Sequence, residues 1–140
     1  MPGGDKLIGV CLSQAHSYIN AGIIAELNRA AGAEGFRVTV MYTELDFYWY
    51  PQGSNVARSI FNAINYDAYS ALVVVRESFQ DDQLLDRIIK EAAEHQVPVF
   101  CLGELRNGCV SVLYDYSETY KNFISRVIEE QGIKDPFYIS

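Results

Sequence analysis

The side chains that could do chemistry are few and do not assemble into a catalytic motif. His16 and His95 lie far apart, and neither is tied by spacing to a nucleophile or to a metal-ligand set. Cys11, Cys101 and Cys109 contain no C-x-x-C pair and no four-ligand zinc spacing. An odd, sparse set of this kind reads as reduced thiols in a cytosolic protein. A phosphate cradle needs a glycine-rich first loop, yet no glycine falls between Gly9 and Gly22, which disfavours dinucleotide and P-loop chemistry. Response-regulator chemistry needs a phosphorylatable Asp ending the third strand, whereas Val75 leads into Arg76-Glu77-Ser78. The sequence therefore predicts no catalytic residue, no metal and no cofactor.

What remains is recognition chemistry. Phe47-Tyr48-Trp49-Tyr50 puts four adjacent rings in a loop, more aromatic surface than one small core absorbs. Such faces suit sugars and bases, and they equally suit a protein interface or simple packing.

These residues are positioned by elements that the hydrophobic pattern marks out. The 140 residues suffice for one domain, and 49% hydrophobic with 21% charged residues excludes disordered and fibrous classes. Leu7–Leu12 reads as a strand covered on both faces. Ile19, Ile23, Leu27 and Ala31 recur every four positions in a helix over 18–34, ended by Gly35. Phe36–Tyr42 is the second strand, 43–53 a long loop, and Val56, Ile60, Phe61 and Ile64 a shorter helical stripe. Ala71–Val75, Val97–Leu102 and Cys109–Tyr114 are strands three to five. Helices are expected around Leu84–Ala92 and Tyr120–Ile128, the latter closing at Gly132, and a last strand begins at Phe137. Strand and helix alternate throughout, so the expected fold is a three-layer α-β-α sandwich with a mainly parallel, Rossmann-like sheet. Residues 1–6 are expected to be a flexible start.

The charge balance, 18 acidic against 11 basic residues for a net −7, gives no basic field to gather a polyanion, and no direct nucleic-acid partner is expected. The opening residues show no leader pattern and no apolar run approaches the roughly 18 residues of a membrane span, so no membrane partner is expected.

Open parallel sheets bind ligands at the carboxyl ends of their strands. Candidate ligand residues there are Ser13, His16 and Tyr18 after strand one, Phe47 and Trp49 after strand two, Glu77 and Ser78 after strand three, Glu104 after strand four and Asp115 after strand five. Each also has a plainer reading. His16 can be solvent-exposed, Tyr18 can staple the first helix, and Glu77 and Glu104 can be ordinary loop carboxylates. Asp115 or Ser117 can cap the last helix, Asp81 and Asp82 fit first-turn acids, and His95 suits a helix carboxyl end.

Gly35-Phe36-Arg37-Val38, Tyr66-Asp67-Ala68-Tyr69-Ser70-Ala71-Leu72-Val73-Val74 and Val97-Pro98-Val99-Phe100-Cys101-Leu102 together resemble the amino-terminal lobe of periplasmic-binding-protein-like domains (type I) of the lactose-repressor type. Asp115, the helix after it and Gln131–Ile139 look like that family's stretch leading into a second lobe, with residues 136–140 beginning the crossover. The usual asparagine-proline-aromatic loop is replaced by Gln14-Ala15-His16-Ser17-Tyr18, and the Asp-Asn pair by Asp115-Tyr116. That first loop looks more like the sensor domains ahead of GGDEF diguanylate cyclase modules. The resemblance implies one lobe of a non-catalytic sensor of a bacterial signalling protein, binding a small-molecule effector (sugar, nucleoside or other metabolite) and working as a homodimer. The other attached module it implies is that of a lactose-repressor-type transcription regulator, with this chain as the effector-binding and dimerisation domain.

Overall fold

The computed structural model describes residues 6–44 and 58–132. In chain order these form β1 (Leu7–Ser13), α1 (Tyr18–Ala33), β2 (Arg37–Thr43), two 3-10 turns (Ile60–Ala63 and Tyr66–Ala68), β3 (Ala71–Val75), α2 (Asp82–Glu94), β4 (Val99–Leu102), β5 (Val110–Val112) and α3 (Ser117–Gln131). The strands make one all-parallel sheet in the order β2-β1-β3-β4-β5. The protein is thus an α/β domain of doubly wound order, with its switch point where β1 neighbours β3.

Alternation along the strands assigns the two faces. Cys11, Leu72, Val74, Val99 and Cys101 point to one side and join Leu84, Leu85, Ile88 and Ala92 of α2 in the larger core cluster. Val10, Leu12, Val73 and Val75 point to the other side and meet Ile23, Ile24 and Leu27 of α1. The central strands are apolar at almost every position because both faces are covered there. Gly9 marks a close approach: a Cβ on it would lie 2.6 Å from the Leu72 side chain and 3.0 Å from Tyr69.

The helical stripe before β3 is shorter than its apolar spacing predicts. Residues 58–59 are helical, and the chain then tightens into the 3-10 turn at Ile60–Ala63. Phe61 holds that turn in place, fully buried and edge-on to Phe79 with ring centroids 4.9 Å apart. Helix α1 turns the expected line of Ile23, Leu27 and Ala31 inward but departs from it at the first position. Ile19 is exposed, whereas Asn20 and Ala31 are buried and Ile23, Ile24 and Leu27 pack on the sheet. Strands four and five are shorter than expected, at Val99–Leu102 and Val110–Val112. The expected flexible start falls almost wholly, and the last strand wholly, outside the described residues, as do most of the 43–53 loop and Val56.

The link from β4 to β5 contains no helix. Gly103, with φ at +96°, turns the chain there, and its N–H donates to the Val112 carbonyl at 2.9 Å. Beyond β5, helix α3 buries none of its residues.

Candidate functional site at the carboxyl edge of the sheet

At the switch point β1 and β3 are laced together. The Ser13 hydroxyl donates to the Ser78 carbonyl, and the Ser13 N–H donates to the Ser78 hydroxyl at 3.3 Å. The Ser78 hydroxyl in turn donates to the Val75 carbonyl at 3.0 Å. Asn20 closes the other side: its buried amide donates to the Ser13 carbonyl at 2.9 Å and the Gln14 carbonyl at 3.1 Å. Gln14 sits in the left-handed region, φ 50°, so the chain leaves β1 in a sharp turn that brings those carbonyls round to Asn20. Ser13 is buried, and both serines spend their hydrogen bonds on the scaffold.

Two polar groups flank this knot. Over β1 and β2, the His16 Nε2 lies 3.3 Å from the Glu44 carboxylate, and the ring stands edge-on to Tyr42 with centroids 5.9 Å apart. Over β3 to β5, the exposed Glu77 packs along Gly103, where a Cβ would meet its Cγ at 3.2 Å. Tyr114 stands near that carboxylate. Burial first, then the Glu77 charge, pushes its phenol above the ordinary range. Gly103 therefore both turns the chain and leaves space for Glu77, and its positive φ disfavours any other residue.

Glu104 is committed to an ionic network of its own. It is paired with Arg76 and lies 3.5 Å from Arg106. Asp82 holds the same two arginines, at 2.8 and 3.0 Å, and Asp86 holds Arg106 at 2.7 Å. The Asp86 carboxylate first, and Asp82 after it, hold the Arg106 guanidinium above its usual range despite partial burial. This network fastens the helixless β4–β5 link to the amino end of α2.

The other predicted residues are scattered. Tyr18 is 94% exposed and touches no core. Asp115 accepts from the Ser117 N–H at 2.9 Å at the start of α3, and the Ser117 side chain first, with this N–H second, holds its carboxyl below the usual range. Phe47 and Trp49 lie outside the described residues. Asp81 caps α2 through the Leu84 N–H at 3.0 Å and also meets the Arg58 Nε at 2.6 Å. His95 ends α2, with its Nδ1 2.7 Å from Asp67 and its ring stacked on Tyr66.

The structure thus brings Ser13 and Ser78 together as scaffold, with His16 and Glu77 on its two sides. Sequence reasoning missed Asn20, Tyr114 and the Arg76–Arg106 network. A signal existed for Asn20, because an amide three residues into a helix and one turn before the apolar stripe is placed to face the strand it follows. Among the described residues no group of three or more His, Cys, Asp or Glu is placed to hold a metal ion, and no helix is long and apolar enough to cross a membrane. In comparison with known proteins, no family model matches this chain and no curated protein matches it significantly.

Proposed function

We propose that this chain is the amino-terminal lobe of a periplasmic-binding-protein-like sensor, a non-catalytic regulatory domain of a bacterial signalling protein. It binds a small hydroxylated metabolite at the carboxyl edge of its sheet, works as a homodimer and passes the bound state to an attached output module, for which a diguanylate cyclase is our leading choice. The observation that carries the reading is the switch point itself. A rigid serine and asparagine knot between β1 and β3 separates a His16–Glu44 group from a Glu77–Tyr114 group, and carboxylate, imidazole and phenol are the acceptors and donors that recognise ligand hydroxyls. Neither group pairs a nucleophile with a base, which suits binding more than turnover.

The test is thermal unfolding of the chain against sugars, nucleosides and related metabolites. A true ligand at about 100 times its Kd adds about 2.7 kcal/mol of stability, a shift of several degrees for a domain of this size. Glu77→Gln and Tyr114→Phe should each reduce that shift while leaving the unliganded melting point within about a degree, since both groups are at the surface. Stabilisation indifferent to both variants, or none by any compound class, would remove the proposal.

A further inference from the structure

Parallel sheets need cover on both faces, and on the α1 side the described residues leave half of this sheet without it. Pairing sets Phe100 beside Val110 and Leu102 beside Val112, so all four point to the α1 side. Val110 and Val112 are 50% and 42% exposed. Between α1 and β4 runs a groove of about 250 Å³ walled by Ile23, Leu27, Ala30 and Leu102, with Glu26 at its rim. Its walls are apolar, a chemistry that suits the apolar stripe of an amphipathic helix.

Helix α3 is such a helix. Tyr116, Tyr120, Phe123, Ile124 and Val127 form one stripe at helical spacing, and none of them is buried. The short connection holds α3 in its exposed pose. Tyr114 stacks on Tyr116 at 5.7 Å, Tyr116 stands edge-on to Tyr120 at 6.1 Å, and Asp115 caps the first turn. Among the described residues, a groove and a matching helix are both left open.

We infer that two copies of this chain exchange these parts, the α3 stripe of each filling the groove beside α1 of the other about a two-fold axis. Reciprocal exchange closes the assembly at two chains and leaves no unpaired half to propagate. Lys121, on the flank of the stripe, would bring positive charge to the rim where Glu26 sits, paired there with Arg29 of its own helix, while Arg126 is engaged with Glu130. The inference specifies the homodimer of the proposed function and rests on that part of it alone.

The experiment is sedimentation of the full chain at micromolar concentration, with two variants at exposed positions that leave the fold intact: Ala30→Glu in the groove and Phe123→Glu on the stripe. The unaltered chain should be a dimer, and each variant should weaken association about tenfold or more. Mixing the variants should restore a heterodimer, because the intact α3 of the Ala30→Glu chain meets the intact groove of the Phe123→Glu chain. A monomeric unaltered chain overturns the inference, as do a dimer indifferent to both variants, a mixture that stays monomeric, and hydrogen-exchange protection of the α3 stripe within a monomer. A monomer that still binds a metabolite at Glu77 sinks only the exchange. A dimer of the expected behaviour that binds nothing sinks only the sensor.

Discussion

The two faces of the sheet are built from the same alternating strands, yet they end differently. On the α2 side, helix, 3-10 turns and strands interlock: Phe61, Phe79, Leu85 and Ile88 are wholly buried in one cluster. On the α1 side, one helix among the described residues covers β1, β2 and part of β3, while a groove stays open beside Leu102, and Phe100, Val110 and Val112 lie on the same face. The contrast separates residues that make the domain stable from residues placed to meet something else. Stability should reside in the first face and association in the second.

The largest effect should come from cutting into the closed face. Leu85→Ala or Phe61→Ala removes a fully buried side chain with no room to collapse, at a cost of about 3–5 kcal/mol in urea unfolding. Phe123→Ala, a truncation of similar size on α3, should cost the folded monomer under about 0.5 kcal/mol. Comparable losses at the two sites would mean that α3 is part of the core and that the two faces do not differ as described.

Asp81 should come next. It caps α2 and meets Arg58 from a buried position, so Asp81→Ala removes a cap and leaves a half-buried guanidinium without that carboxylate. A loss of roughly 2–4 kcal/mol is expected, and Asp81→Asn should recover the capping share of about 1 kcal/mol but not the ionic one. Equal behaviour of the two variants would show that charge plays no part.

At the switch point the expected cost is smaller. Asn20→Ala should lose about 1–2 kcal/mol by leaving the Ser13 and Gln14 carbonyls without their donor. Ser78→Ala should lose less, because the Ser13 hydroxyl still reaches the Ser78 carbonyl. If Asn20→Ala were neutral, the knot would be ornament and ligand affinity at either flank would not depend on it.

The closed face and the succession of strands along the chain were legible in the sequence, in continuous apolar runs and a strong apolar stripe at Leu84, Leu85, Ile88, Ile89 and Ala92. The α1 helix was legible with its inward line at Ile23, Leu27 and Ala31 but not at its start, since Ile19 fits a four-residue spacing as well as Ile23 does. A polar residue, Asn20, takes the inward place because two strand-end carbonyls need a donor there, a tertiary demand that periodicity does not record. At the site, loop position correctly put Glu77 and His16 on the carboxyl edge, but loop position is all it supplied. Whether a loop carboxylate is free or committed depends on partners distant in sequence: Glu104 is committed to Arg76 and Arg106, while Glu77 is not drawn into that network. The missed Tyr114 lies two residues past a strand whose end the sequence placed too late.

Thiol chemistry separates the interior from the surface by rate. Burial pushes the Cys11 thiol up to about 12 and Cys101 up to about 11, and both are fully enclosed, so neither forms thiolate at neutral pH. Cys109 is partly exposed. Titration with an aromatic disulfide reagent should show one fast thiol, with the other two appearing only on unfolding. Rapid reaction of all three would mean that the closed face opens readily, and the comparison between the faces would fail.

The smallest effect concerns the two helix caps. Asp81 caps a helix that the core holds on its own account, whereas Asp115 caps α3, which buries nothing and depends on its cap more directly. Hydrogen bonding from Ser117, its side chain first and its N–H second, depresses the Asp115 carboxyl, so it binds its proton less readily in the folded cap than in a free chain. A depressed carboxyl lends stability that is present above its ordinary value near 4 and is lost as pH falls through the lower folded one. Acidification through that range should fray the first turn of α3 before α2 responds, seen as faster amide exchange at Glu118–Tyr120 while Leu85 and Ile88 stay protected. Asp115→Ala should show the frayed turn already at pH 7 and no further change on acidification, whereas a turn that frays with pH in that variant too would place the titrating group elsewhere.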